Sequence, residues 1–165
     1  MMNSDLLIES LDLNGLHKLA SRFVECLPRR MTIGLVGTLG VGKTTLVQAI
    51  STAIGIDRAD VTSPTFTLLQ SHHGGDQTLH HMDAYRVADE DEFLELGVEE
   101  LFDQEQAWTL IEWADRVEDV MPRNSLWVEM RIAQQPDTRS VKIWTSDNEL
   151  SQVVKTALRE MMPKG

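Results

Sequence analysis

Cysteine is nearly absent. Cys26 is the one thiol in 165 residues, so no internal disulfide can form and the chain fits a reducing cytoplasm. With no second cysteine and no ligand motif beside it, Cys26 reads as a small hydrophobe on a helix. No apolar run approaches the ~20 residues needed to cross a bilayer. The opening MMNSDLLIES lacks the basic region and apolar core of a secretory signal. Basic side chains are scarce, 15 against 26 acidic, for a formal net charge of −11. Such a surface repels a polyanion, which argues against broad nonspecific nucleic-acid binding by this chain alone. No internal repeat, low-complexity tract or linker interrupts the sequence. What remains is an ordinary balance, 42% apolar and 25% charged, which reads as one domain over 1–165 with a sizeable core.

The chain is organised around 31–55, MTIGLVGTLGVGKTTLVQAISTAIG. An apolar strand over 31–36 runs into a glycine-rich turn. That turn opens a helix with apolar Leu46, Val47, Ala49, Ile50, Ala53 and Ile54, and Gly55 is placed to cap its end. Residues 37–44, GTLGVGKT, fit G-x-x-x-x-G-K-[ST], the phosphate-binding P-loop. The glycines free the backbone so that successive N–H groups can point at a phosphate, and the helix adds its positive dipole end at the same point. Lys43 would reach the β- and γ-phosphates, and the Thr44 hydroxyl would ligate Mg²⁺. A glycine turn can also be a plain connector, but a strand before and a helix after favour nucleotide binding.

Apolar spacing elsewhere predicts a helix over 10–27 capped by Ser10 or Asp12. A strand over 60–71 is entered through Ser63-Pro64 and followed by a turn at 72–77. A second strand over 78–83 then completes an antiparallel hairpin. Two short helices over 89–102 break at Gly97, a buried strand spans 107–113, and a short helix over 114–120 ends before Pro122. Strands over 126–132 and 139–145 form a second hairpin. The last helix carries the capping box Ser146-x-x-Glu149 and a stripe of Leu150, Val153, Val154, Ala157, Leu158 and Met161. The resulting fold is a single α/β P-loop domain with a mixed parallel and antiparallel central sheet, flanked by helices and carrying two β-hairpins. Its site should lie at the carboxyl ends of the strands.

A P-loop hydrolase also needs a carboxylate for the Mg²⁺ shell or the attacking water. Glu112, closing the apolar run 108–111, is the better match. Asp83, closing 79–82, is the weaker and could simply cap a turn. Ser63-Pro64-Thr65 stands where switch segments lie in other P-loop proteins, although an ordinary strand start explains it equally well. Four histidines cluster as His72, His73, His80 and His81. Adjacent strand residues face opposite sides, so His80 and His81 do not share an ion, and no zinc spacing completes a site. Trp108, Trp113, Trp127 and Trp144 lack the basic neighbours of a single-strand-binding platform and read as packing or partner-contact residues.

In order, GTLGVGKTT (37–45), SPTF (63–66), HMDAYR (81–86), ELGVEE (95–100) and IEWAD (111–115) resemble the bacterial TsaE (YjeE) ATPase family over nearly the whole chain. The P-loop alone is unspecific, whereas SPTF, H-x-D-x-Y-R and I-E-W in that order are specific. The resemblance implies a cytoplasmic, weakly hydrolysing ATPase, dependent on ATP and Mg²⁺. It would serve threonylcarbamoyl-adenosine formation at position 37 of tRNAs, with the threonylcarbamoyl transferase and its inactive paralogue as partners and tRNA met at most indirectly. Gly37, Thr38, Leu39, Gly40, Val41, Gly42, Lys43, Thr44 and Thr45 would form the nucleotide cradle. Thr44 and Glu112 would be the Mg²⁺ ligands, and Asp83 a required acid near the γ-phosphate. Ser63 and Thr65 would belong to a switch-like segment, and Trp113 would sit near the nucleotide. Thr38 stands where the family usually has Asp and Val41 where it usually has Ala, both at positions where the backbone does the binding.

Two readings compete with an ATPase. A small-molecule or nucleoside kinase suits the size and the P-loop, but the acidic region after residue 86 offers no arginine-rich lid for donor phosphates. A nonhydrolysing, nucleotide-gated binding module would have nearly the same sequence. Arg86 is a candidate arginine finger in cis, and a partner could supply one in trans.

Overall fold

The computed structural model describes residues 5–64 and 68–163. Its strands are β1 (Leu6–Leu11), β2 (Met31–Val36), β3 (Leu69–Gly74), β4 (Gln77–Asp83), β5 (Ala107–Glu112), β6 (Leu126–Ile132) and β7 (Arg139–Trp144). The helices are α1 (Leu13–Cys26), α2 (Lys43–Ile54), α3 (Glu90–Leu94), α4 (Val98–Phe102) and α5 (Asn148–Ala157). The strands form one seven-stranded sheet in the order β1-β7-β6-β2-β5-β4-β3. The inner strands β6, β2, β5 and β4 run parallel; β7 and β3 run against them at the two sides, and β1 joins the outer edge of β7 by antiparallel pairing.

The pattern of burial follows from that order. β5 is flanked on both edges and covered on both faces, and every one of its side chains is buried. Leu110 joins the core under α1, α2 and α5, with Leu19, Phe23, Leu46, Ile50, Leu150 and Val154. Its neighbour Ile111 joins the opposite core with Met82, Phe93, Val98 and Val117. Full burial of one such side chain is worth about 1.5–3 kcal/mol. Gly34 in the middle of β2 lets the sheet close on that second side, because a Cβ there would meet Trp127 at 2.9 Å and Ala114 at 3.0 Å. Among the described residues no helix is long and apolar enough to cross a membrane.

Several local expectations change or are narrowed. β1, a strand over residues not read as one, pairs antiparallel with β7 at the sheet edge. Asp12, not Ser10, caps α1, its carboxylate accepting from Gly15 N at 2.8 Å, while Ser10 sits at φ 59° where the β1 register shifts. The strand expected over 60–71 starts only at Leu69, because 61–64 is irregular and Leu68 holds φ 62°. The turn expected at 72–77 shrinks correspondingly to Gly75 and Asp76, with His72 and His73 inside β3. Finally, α5 is capped by Asp147, and Val153 of its apolar stripe is exposed. The other elements fall close to where the spacing placed them, although β5 stops at Glu112 and leaves Trp113 outside it and 114–120 is a 3₁₀ helix. Gly97 sits at φ 81° between α3 and α4.

Candidate active site

β2 ends at Val36 and the chain turns through 37–42 into α2, whose first residue is Lys43. Gly37 has φ +154°, and a Cβ there would stand 2.8 Å from both Met130 O and Val41 Cγ1. The turn therefore packs against β6 so closely that only glycine fits its first position. Arg139 braces it from β7, Nε donating to Val41 O at 2.6 Å. Val41 itself is buried in the core, so of that residue only the backbone faces the turn.

Lys43 folds back over the loop, Nζ donating to Gly37 O at 2.5 Å and Thr38 O at 3.1 Å. The ammonium also lies 3.9 Å from the Trp113 ring centroid, a cation–π contact. Burial pulls its pKa below the ordinary lysine value, and the nearby carboxylates of Glu112, Asp83 and Asp115 oppose that shift. Trp113 holds φ 59° immediately after β5, which turns its ring toward the loop and onto Tyr85, centroids 4.8 Å apart.

The two acids named from sequence meet here. Asp83 and Glu112 close the adjacent parallel strands β4 and β5 and are register partners. Both are buried at 4% exposure. Glu112 accepts the Thr44 hydroxyl, with Oγ1 3.0 Å from Oε1 and 2.9 Å from Oε2. Its Oε2 is also 2.5 Å from His81 Nε2. Asp83 accepts from Tyr85 N at 2.8 Å, so it does cap a turn, as an aspartate at a strand end can, while facing the same cavity.

That cavity has a volume of about 450 Å³ and is lined by Leu39, Gly40, Gly42, Lys43, Thr44, Thr45, Ser63, Asp83, Tyr85, Arg86, Glu112 and Trp113. It gathers most of the residues singled out from sequence. Gly37, Thr38 and Val41 stay behind it, and Thr65 lies outside the described residues. Sequence reasoning missed the Arg139 brace and the link from His81 to Glu112. For His81 a signal existed: it stands two residues before Asp83 on one strand, hence on the same face. His80 faces away, bonded to Ser71 and Gln104.

A parallel strand, a glycine turn with a lysine at its end and a helix N-terminus, set in a mixed seven-stranded sheet, define an α/β domain of the P-loop class. Within that class the chain belongs to the TsaE family. The model for "Threonylcarbamoyl adenosine biosynthesis protein TsaE" matches residues 11–141. The chain is 40% identical over 99 residues to the tRNA threonylcarbamoyladenosine biosynthesis protein TsaE of Bacillus subtilis, a match covering 60% of each chain. It is 31% identical over 132 residues to the protein of the same name from Rickettsia bellii, covering 80% of this chain and 89% of that one. A crystal structure of Bacillus YdiB shares the fold, with a TM-score of 0.77 at 24% identity over 97% of this chain and 98% of that one.

Proposed function

We propose that this protein is a Mg²⁺-dependent ATPase of low intrinsic activity. It would act in threonylcarbamoyladenosine formation at position 37 of tRNAs, beside the threonylcarbamoyl transferase and its inactive paralogue in the cytoplasm. The observation that carries the reading is the Thr44–Glu112 hydrogen bond. It ties the first turn of the P-loop helix to a buried carboxylate in the same cavity as Lys43. These hard oxygen donors suit Mg²⁺, which prefers hydroxyl, carboxylate and phosphate oxygens. Thr44 and Glu112 would hold the ion, and when bound it would neutralise charge on the phosphate oxygens.

On binding nucleotide, Lys43 would exchange the Gly37 and Thr38 carbonyls for phosphate oxygens. The loop amides and the α2 dipole would stabilise charge on the transferring phosphoryl group. Asp83, already oriented by Tyr85 N, would accept a hydrogen bond from the water that attacks in line. Trp113 would leave the Lys43 ammonium and sit near the nucleotide, and Ser63 and Thr65 would belong to the switch-like segment. The chain's net charge of −11 does not favour direct tRNA binding.

ATP turnover by the purified protein, alone and with the two partner proteins, tests this beside Lys43→Ala and Glu112→Ala variants. Slow turnover, stimulated by the partners and lost in both variants by about 100-fold or more, is the expected result. Tight ATP binding with no turnover in any mixture would leave a nucleotide-gated binding module. Phosphate transfer to a nucleoside would point to a kinase instead.

A further inference from the structure

The hydrolysis proposed above makes no use of His81, yet this side chain is fully buried on β4 with its ring against the site. Its Nε2 lies 2.5 Å from Glu112 Oε2. An ionised carboxylate can only accept, so Nε2 carries the hydrogen and donates it. The other ring nitrogen, Nδ1, is buried with no hydrogen-bond partner among the described residues.

That unpaired nitrogen counts against a purely structural explanation. An apolar side chain of similar volume would leave nothing unsatisfied at Nδ1, whereas histidine does. Nor is the bond needed to join β4 to β5, which already pair continuously from Thr78↔Ala107 to Asp83↔Glu112. What the bond does accomplish is local. Thr44 approaches Glu112 from the α2 side through both carboxylate oxygens, and His81 approaches one of them from β4. With donors on two sides the carboxylate cannot swing about its last torsion.

We propose that His81 is a positioning residue for the divalent cation of a metal–nucleotide complex. Its Nε2–H locks Glu112 so that the carboxylate and the Thr44 hydroxyl form a preset pair of oxygen donors. This inference rests on the ATPase reading, because it assumes that Glu112 faces the cation. Hydrogen-bond partners behind a metal ligand are typically worth 10–100-fold in metal affinity.

Equilibrium binding of a fluorescent, nonhydrolysable ATP analogue provides the test, titrated with Mg²⁺ and repeated in EDTA. In His81→Met the Mg²⁺ concentration giving half-maximal enhancement should rise about tenfold, with binding in EDTA unchanged within about twofold. His81→Gln, which keeps an N–H donor near the Nε2 position, should stay within about threefold of the parent protein. Equal Mg²⁺ dependence in parent and His81→Met overturns the proposal. So does an affinity loss of the same size with and without Mg²⁺, which marks a packing defect. Should His81→Met not fold, His81→Asn replaces it: its amide is too short to reach Glu112 and should show the rise that His81→Gln does not, and parity between these two also overturns it. If Mg²⁺ leaves nucleotide binding by the parent protein unchanged, the ATPase reading itself fails, a result separate from any difference among variants.

Discussion

Gly37 and Gly40 both lie at positive φ in the same turn, yet a methyl group would meet different surroundings at each. At Gly40, φ +78°, nothing stands within 4 Å of a Cβ. Gly40→Ala should therefore add only left-handed backbone strain, about 1–2 kcal/mol. At Gly37 the same atom would press on Met130 O, part of a strand fixed by pairing with both β2 and β7. Neither β6 nor β2 can give way without breaking the ladder. Gly37→Ala should add an overpacking cost of about 1–3 kcal/mol to the strain. Urea unfolding of the two variants gives the comparison directly. Equal stabilities would mean that the turn is not held against β6 as described. On the proposed ATPase reading, nucleotide affinity should fall in the same order, because the displaced amides would be those that meet phosphate.

Each local boundary that departed from the sequence pattern did so where a neighbour outcompeted a short-range signal, and α5 shows this most simply. Ser146-x-x-Glu149 satisfies the capping-box pattern, but the Ser146 hydroxyl donates to Arg123 O at 2.7 Å. Asp147 takes the cap instead, Oδ1 accepting from Leu150 N at 3.0 Å. Asp147→Ala should then cost about 1 kcal/mol and Ser146→Ala less than about 0.5 kcal/mol. Denaturant midpoints would decide, and the reverse order would restore the capping box. β1 escaped the sequence reading for a related reason. Leu7 is half-exposed beside buried Leu6 and Ile8, the strand is bulged near Ser10, and β7, with which it pairs, lies at the far end of the chain. In β3 the polar His72 and His73 looked like turn residues, but an edge strand with one open side tolerates them. The elements around the site were legible because their signals are local: an apolar run for β5, the glycine–lysine spacing for the loop, a Gly97 break for α3 and α4. Lys43, Thr44, Asp83 and Glu112 follow from spacing and strand ends. His81 follows only in part: its spacing from Asp83 puts it on the same face, but its partner depends on which β5 residue it meets, and that is set by register.

At the scale of the molecule the governing quantity is the net charge of −11. Exposed acids crowd the region around α3 and α4, among them Asp89, Asp91, Glu95, Glu99 and Glu100. On the proposed reading a nucleotide can still be held, because Lys43, the loop amides and the α2 terminus would concentrate positive potential at one point. A tRNA offers phosphates over a far larger area, and a protein that neutralises many of them must bring many basic side chains and release many counterions. With 15 basic against 26 acidic residues, this chain is poorly supplied with them. The isolated chain should therefore leave labelled tRNA unretarded in a gel-shift or anisotropy experiment at about 0.1 M salt. If the transferase and its paralogue are the partners, as proposed, then in their presence tRNA and this chain should enter one assembly, with the basic contacts supplied by the others. The discriminating observation is the salt slope. Binding by the chain alone that weakens steeply between about 50 and 200 mM salt would reveal phosphate neutralisation. That outcome would place tRNA directly on this protein despite its charge. A flat, absent response confines its part in the pathway to nucleotide and protein contacts.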